Sequence, residues 1–368
     1  MTHRIALLFC MLFAVLATGC AALPPPLPPT PTPQPSTPWG PPETVASARS
    51  INSPALVARD SGFVLAAFVP EADSAIARLT LFADGNRVNT RIVALAPFDL
   101  TLTRMTNSAM LALWRTVKPD NSNTSQLSSA LVRLDSGIEL GEILLSEQPV
   151  MRFDALPQDD ASVWVVWSGA PVPESSLFFS RIDVAGRPRR AQKLTDGADF
   201  PHLSRAVDGQ TILTWIRTRD GSVWRAVLAD DSMLSAAKQI ATVPLLAPGD
   251  ILEELHIGQD DQVDYLFWEI LRADGTRQTW YQASSHDGDL ISAQQPLRIV
   301  IRDDVSLISG FNHGQAQSAM LNPDGIPVSR LRPAAGRGAS LPVAVEMADQ
   351  VAVIYFIGGQ IQGAQRMI

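Results

Sequence analysis

The chain repeats one device: a short, nearly all-apolar run, often ending in an aromatic residue, with turn residues on either side. It appears as FVLAAFV (63–69), AMLALW (109–114), SVWVVW (162–167), TILTWI (211–216), YLFW (265–268) and VAVIYF (351–356), with a weaker copy, VSLISGF, at 305–311. Such runs, bounded by turn signals, predict strands buried on both faces. With Phe68, Trp114, Trp167, Trp215, Trp268, Ile308 and Tyr355 as markers, the intervals are 46, 53, 48, 53, 40 and 47 residues. A unit of about 45 residues is the size of one four-stranded propeller blade. Beyond the first 20 residues no window sustains a helical i, i+3, i+4, i+7 pattern with caps.

The stretch 201–240 shows the unit best. Its run 211–216 is an interior strand, and 222–228 alternates as an outer strand does. Arg219-Asp220-Gly221 and Asp230-Asp231-Ser232 are hairpin punctuation. A turn after the third strand of each unit recurs as Asp84-Gly85, Asp135-Ser136-Gly137, Ala185-Gly186, Asp230-Asp231-Ser232, Asp287-Gly288 and Asp324-Gly325. The seventh unit ends before such a turn, so it lacks a fourth strand. Residues 43–51 (ETVASARSI) resemble the fourth strands and are expected to pair with 360–367 and close the ring. The predicted fold is all-β: a seven-bladed β-propeller of four-stranded antiparallel blades. The sixth unit must fit its first strand into about 298–304; without it the ring has six blades. A two-domain β-sandwich is the other all-β arrangement weighed.

The two cysteines, Cys10 and Cys20, both precede residue 21. The remaining chain therefore has no disulfide, thiol nucleophile or thiolate metal site, and its stability must come from its core. Arg4 is followed by a nearly continuous apolar run, 5–17, too short to span a bilayer, which takes about 20 residues. Then comes Leu16-Ala17-Thr18-Gly19-Cys20. This resembles the lipobox of bacterial lipoproteins, with Ala17 where Leu is commonest. The resemblance implies a signal peptide over residues 1–20 and a lipid on Cys20. It also implies a protein held to the membrane on the outer side of the cytoplasmic membrane or in the envelope. Cleavage near Ala22 as an ordinary secretory signal is the alternative.

Residues 21–43 carry eleven prolines. Proline lacks a donor and fixes φ, so this stretch joins neither sheet nor helix. It is expected to be an extended tether, reaching about 70 Å at about 3.1 Å per residue, ahead of a propeller domain over 44–368. The chain has 37 acidic and 29 basic residues; three of the basic ones are lysines (Lys118, Lys193, Lys238) and the other 26 arginines. That balance argues against a nucleic-acid partner, which requires a basic surface.

Motifs of chemistry are scarce. The five histidines (His3, His202, His256, His286, His313) show no metal-ligand spacing. No nucleophile elbow, P-loop, dinucleotide fingerprint or calcium loop occurs, so neither a metal nor a cofactor is expected. Residues 218–224 (TRDGSVW) resemble the Asp box of sialidase-type propellers, one residue short and between the second and third strands rather than the third and fourth. A turn is the simpler reading. Trp114, Trp164, Trp167, Trp215 and Trp268 are read as packing between blades, with sugar stacking the alternative. Ligand-face loops in propellers are the second-to-third-strand and blade-to-blade connections. Here those loops are charged. The candidates are Arg115, Lys118 and Asp120; His202; Arg217, Arg219 and Asp220; and Glu269, Arg272 and Asp274. The chain thus resembles the broad class of propeller-repeat lipoproteins. That implies a non-catalytic binding or scaffold module for an envelope protein or glycan. A carbohydrate-active enzyme on the same scaffold is the alternative; it requires paired carboxylates about 5 to 9.5 Å apart.

Overall fold

The structure, a computed structural model, describes 43–47 and 52–367 apart from 61, 72–74, 84–85, 118–124, 136–140, 147, 170–174, 207, 231, 244–245, 260–263, 284–288, 293–296, 302–305, 313–314, 322–331, 334–339, 348–349 and 358–359. For 43–53, for much of 253–269 and from 277 onward it describes strand path and pairing alone. The described strands belong to one compact unit, Thr37–Ile368. Residues 1–42, with Cys20 and all but the last residue of the tether, and the loop residues Lys118 and Asp120 lie outside the described residues.

A short strand, β1 (Glu43–Ser47), comes first. Sheet 1 follows with β2 (Asn52–Ala58), β3 (Phe63–Pro70), β4 (Ile76–Ala83) and β5 (Asn86–Leu95). Sheet 2 has β6 (Pro97–Arg104), β7 (Ala109–Val117), β8 (Ser125–Arg133) and β9 (Ile143–Ser146). Sheet 3 has β10 (Val150–Pro157), β11 (Val163–Gly169), β12 (Ser176–Ile182) and β13 (Gln192–Asp196). Sheet 4 has β14 (Ala198–Arg205), β15 (Thr211–Arg217), β16 (Ser222–Val227) and β17 (Lys238–Thr242). Sheet 5 has β18 (Ile251–Gln259), β19 (Asp264–Leu271), β20 (Arg277–Ala283) and β21 (Asp289–Ser292). Sheet 6 has β22 (Leu297–Ile301), β23 (Ser306–Asn312), β24 (Gln315–Leu321) and the two-residue β25 (Arg332–Pro333). Sheet 7 has β26 (Ser340–Met347), β27 (Gln350–Ile357) and β28 (Gln360–Met367), with β1 as its fourth strand.

Each of these sheets is four-stranded and antiparallel, sheets 1 to 6 being simple meanders, and no helix occurs among the described residues. The architecture is propeller-like. β1 pairs with β28, Thr44 opposite Gln362 and Ser47 opposite Gln360, as expected from residues 43–51. The first strands touch in a cycle: β2 with β6, β6 with β10, β10 with β14, β14 with β18, β18 with β22, β22 with β26, and β26 with β2.

The repeated apolar runs become the second strands, and their composition has a direct cause. Side chains of a strand alternate between faces, and here both faces meet another sheet. On β7, Met110, Ala112 and Trp114 join the core shared with sheet 1, while Leu111 and Leu113 join the core shared with sheet 3. On β11, Val163, Val165 and Trp167 face sheet 2, and Trp164 and Val166 face sheet 4. A strand with two dry faces has no place for a polar alternation. The fourth strands tell the opposite story: β13 and β17 are half-exposed or exposed throughout.

The tryptophans therefore belong to the core. Trp114, Trp167 and Trp268 are fully buried, and Trp164 and Trp215 nearly so. Trp114 meets Phe68 of sheet 1 edge-on, with centroids 5.6 Å apart. Such geometry complements the ring quadrupole, and it leaves those ring faces inaccessible to a sugar.

Arginine fastens the sheet boundaries. Arg104 of β6 reaches Asp60 of sheet 1 at 2.7 Å. Arg181 of β12 bridges Asp160 and, at 2.5 Å, Asp230 of sheet 4. Arg205 of β14 donates to the Pro157 carbonyl at 2.9 Å. A planar guanidinium serves several acceptors at once, which an ammonium point charge does less well. This use accounts for part of the excess of arginine over lysine.

A candidate ligand cleft between sheets 3, 4 and 5

A cleft of about 470 Å³ opens where the first strands of sheets 3, 4 and 5 begin. Its walls are Met151 and Arg152 of β10, Asp199 and Phe200 of β14, and Ile251 and Leu252 of β18. The β15–β16 hairpin (Thr218, Arg219, Asp220, Gly221) and the link from β17 to β18 (Val243, Leu246, Asp250) complete it. These are the second-to-third-strand and sheet-to-sheet connections on which the sequence places a ligand face.

A bulge in each first strand makes room. The β14 register against β15 shifts between Asp199 and His202, and Phe200 takes a positive φ of 55°. The bulge turns Asp199 inward, where it is 1 % exposed. Ser168 of β11 donates to one carboxylate oxygen at 2.6 Å, and the Phe200 amide donates to it at 2.7 Å. Arg152 donates to the other oxygen at 2.8 Å and to the Leu252 carbonyl at 3.3 Å. The Arg152 guanidinium also lies over the Phe200 ring, 3.6 Å from its centroid. One side chain thus ties sheet 3 to sheets 4 and 5 across the floor of the cleft. A buried carboxylate needs such partners, because desolvation without them costs several kcal/mol.

The β15–β16 hairpin is fixed at three points. The Thr218 amide donates to the Gly197 carbonyl at 2.9 Å, the Gly221 amide to the Arg217 carbonyl at 3.0 Å, and the Val243 amide to the Gly221 carbonyl at 2.9 Å. Gly221 has φ +66°, and a Cβ there would sit 3.1 Å from the Val243 oxygen. Asp220 caps the turn by accepting from the Ser222 amide at 3.0 Å and from the Ser222 hydroxyl. The Ser222 oxygen in turn accepts from Trp224 Nε1 at 2.7 Å. The hydroxyl and amide of Ser222, then Arg219 and Arg217, hold the Asp220 carboxyl down to about 2. The TRDGSVW stretch is therefore a capped hairpin between second and third strands. Asp274-Gly275-Thr276 repeats the cap in sheet 5, with Thr276 donating to Asp274 from its amide at 2.8 Å and its hydroxyl at 2.7 Å.

The other candidate residues divide. Arg219 and Asp220 line the cleft. Arg272 stands behind it, bonded at 2.5 Å to Asp250, which is 4 % exposed. That guanidinium, with the Ala273 and Ala247 amides, lowers the Asp250 carboxyl below the ordinary aspartate range. Four residues expected in loops lie in strands instead. Arg217 ends β15, with its guanidinium 4.1 Å from the Trp224 ring centroid. Arg115 lies within β7, over Phe98 at 4.5 Å, and bonds Asp99 and the Val150 and Met151 carbonyls. His202 lies within β14, with Nδ1 3.0 Å from Asp154 of β10. Glu269 lies within β19, opposite Thr279. For Arg115, Arg217 and Glu269 the reason is common: the second strands run on past the apolar runs, because ladder pairing continues where side chains turn polar; His202 is mid-strand because β14 already begins at Ala198. Asp274 caps its own turn.

Arg152, Asp199, Phe200 and Asp250 escape the sequence reading. A charged residue at the head of a strand gives no sign there of a partner 47 residues away, as Asp199 is from Arg152.

No family model and no curated protein matches the chain. Among solved structures, the polysaccharide lyase Uly1 is similar over 87 % of this chain and 90 % of its own, with TM-score 0.61 and 8 % identity. A prolyl endopeptidase matches over 88 % of this chain and 50 % of its own, with TM-score 0.48 and 12 % identity. A protein from Lactobacillus plantarum matches over 78 % and 85 %, with TM-score 0.47 and 13 % identity. At such identities the likeness to Uly1 concerns the fold alone.

Proposed function

We propose that the chain is an exported, lipid-anchored β-propeller of seven blades, whose cleft between sheets 3, 4 and 5 is a non-catalytic binding site. The seven-sheet order, the cycle of first-strand contacts and the β1–β28 pair support a ring closed by the N-terminal strand. Closure removes the free edges an open array would carry. The lipobox-like Leu16-Ala17-Thr18-Gly19-Cys20 and the proline tether support the address.

One observation carries the binding reading: the three carboxylates of the cleft are each committed to structure. Asp199 is tied to Arg152 and Ser168, Asp220 to Ser222, and Asp250 to Arg272 and two amides. Asp220 and Asp250 are pushed toward lower pKa, the wrong direction for a general acid, which needs a pKa near the working pH. Among the described residues no histidine, tyrosine, lysine or cysteine lines the cleft.

The test uses the full chain in detergent against arrays of envelope peptides and polysaccharides. Wild type should retain a ligand, and Leu246→Asp/Ile251→Asp should lose it without a change in unfolding midpoint. Equal retention by both proteins would refute the site, and release of shortened oligosaccharides by wild type would establish the enzyme reading. For the address, Cys20→Ser should release the protein from membranes or leave it unprocessed; unchanged retention refutes the lipid anchor.

A further inference from the structure

The cleft also says something of its occupant. We infer that it takes the C-terminus of a peptide, with an aliphatic last side chain in the cleft and the terminal carboxylate at Arg219. This rests on the binding-site reading above and adds the ligand class.

Three observations carry it. First, the walls are aliphatic: Met151, Ile216, Val243, Leu246, Ile251 and Leu252. Ile251 is 55 % exposed and Leu246 36 % exposed, so apolar surface stands open at the rim. Covering such groups is favourable at about 25 cal/mol per Å².

Second, the cleft is a poor platform for sugars. Among the described residues Phe200 is the one aromatic lining it, and the Arg152 guanidinium occupies a face of that ring. The neighbouring Trp224 carries Arg217 over its ring. Base or sugar stacking needs the π-faces these cations hold.

Third, charge is left over. Arg152 is matched by Asp199 and Arg272 by Asp250, but Arg217 and Arg219 share Asp220. Among these described residues one positive charge is in excess. Arg219 is the more exposed of the sharing pair, 77 % against 33 %, and its 3.4 Å contact with Asp220 is made through Nε. A carboxylate seated beside aliphatic surface meets both demands, and guanidinium is suited to it by its paired donors. At about 470 Å³ the cleft has the volume of a drug-sized ligand, more than a single short-chain acid fills.

Calorimetry on the full chain in detergent provides the test, with three probes: an N-acetylated tetrapeptide ending in leucine as the free acid, the same peptide as its C-terminal amide, and 4-methylpentanoate. The free acid should bind about tenfold more tightly than the amide, the scale of one charge-assisted hydrogen bond. Arg219→Gln should abolish that preference, bringing the two peptides to equal affinity. Leu246→Asp should weaken both peptides. Failure of the peptides to bind, equal binding of acid and amide, or a preference that survives Arg219→Gln overturns the inference. Binding of 4-methylpentanoate as tight as the peptide's overturns the peptide assignment. A glycan that is bound by wild type and lost in Leu246→Asp/Ile251→Asp overturns the ligand class and leaves the site itself standing.

Discussion

Sheets 2 and 4 begin alike and end differently. Sheet 2 enters its first strand through Ala96-Pro97-Phe98-Asp99, and sheet 4 through Gly197-Ala198-Asp199-Phe200. In both the first and last of these four residues have positive φ (42° and 51°; 63° and 55°), and the same register shift follows. The phenylalanine and the aspartate have changed places. In sheet 2 the aspartate takes the outward bulge position, where Asp99 is 53 % exposed, and Arg115 of the same sheet covers Phe98. In sheet 4 the aspartate takes the inward position and is buried, and the phenylalanine faces the cleft. The arginine must then come from the neighbouring sheet, as Arg152 does. One backbone device thus serves as a boundary clamp in one place and as the floor of a cleft in the other. Which it becomes depends on the order of two residues.

The sharpest way to break this comparison is to remove each aspartate. Asp199→Ala removes a buried carboxylate and strands the Ser168 hydroxyl, the Phe200 amide and the Arg152 donor that it accepts from. Breaking a buried pair from one side costs about 3–5 kcal/mol. Asp99→Ala removes an exposed partner of Arg115, and exposed pairs contribute about 0–1 kcal/mol. Denaturant unfolding of the two variants should show that gap. Equal losses would mean that Asp99 and Asp199 do the same work despite their different burial.

The glycines give a smaller effect of the same kind. Gly197 and Gly221 both have φ above +60°, but a Cβ on Gly197 meets nothing within 4 Å, while one on Gly221 meets the Val243 carbonyl at 3.1 Å. Left-handed backbone costs a residue with a Cβ about 1–2 kcal/mol. Gly197→Ala should lose about that much. Gly221→Ala should lose more, and should weaken ligand capture as well, because the hairpin it distorts lines the cleft. Thermal unfolding and capture on the same samples separate the two.

Much of the scaffold was legible in the sequence, and the reason is the alternation rule. A second strand pressed between two sheets must be apolar at every position, so Met110 to Trp114 and Val163 to Trp167 announce themselves. The returning strand at 43–47 could be inferred because sheet 7 was one strand short. The cleft was legible only in outline. Arg219 and Asp220 sit in a turn that Asp-Gly punctuation marks. Arg152 and Asp199 meet only because sheets 3 and 4 pack side by side, and no local pattern encodes that meeting. Charge following an apolar run suggests a loop at Arg115, Arg217 and Glu269, and the Asp199-Phe200-Pro201 junction suggests one at His202. In a propeller-like fold the strand ends bear the charges that staple neighbouring sheets, so the ladder runs through them.

The smallest effect isolates the cap from the rest of the cleft. Asp220 owes its depressed pKa first to the Ser222 hydroxyl, then to the Ser222 amide and the two arginines. Ser222→Ala removes the first of these, so the Asp220 carboxyl should move from about 2 toward the ordinary value near 3.9. The sign for stability follows. A carboxyl whose folded pKa lies below its unfolded one contributes stability above the unfolded value, and that contribution fades as pH falls from about 4 through about 2. Wild type and Ser222→Ala should therefore differ in unfolding free energy at neutral pH and converge near pH 2. Carboxyl carbon chemical shifts followed against pH measure the titration directly. An Asp220 that titrates near 2 in both proteins would move the cause to the arginines.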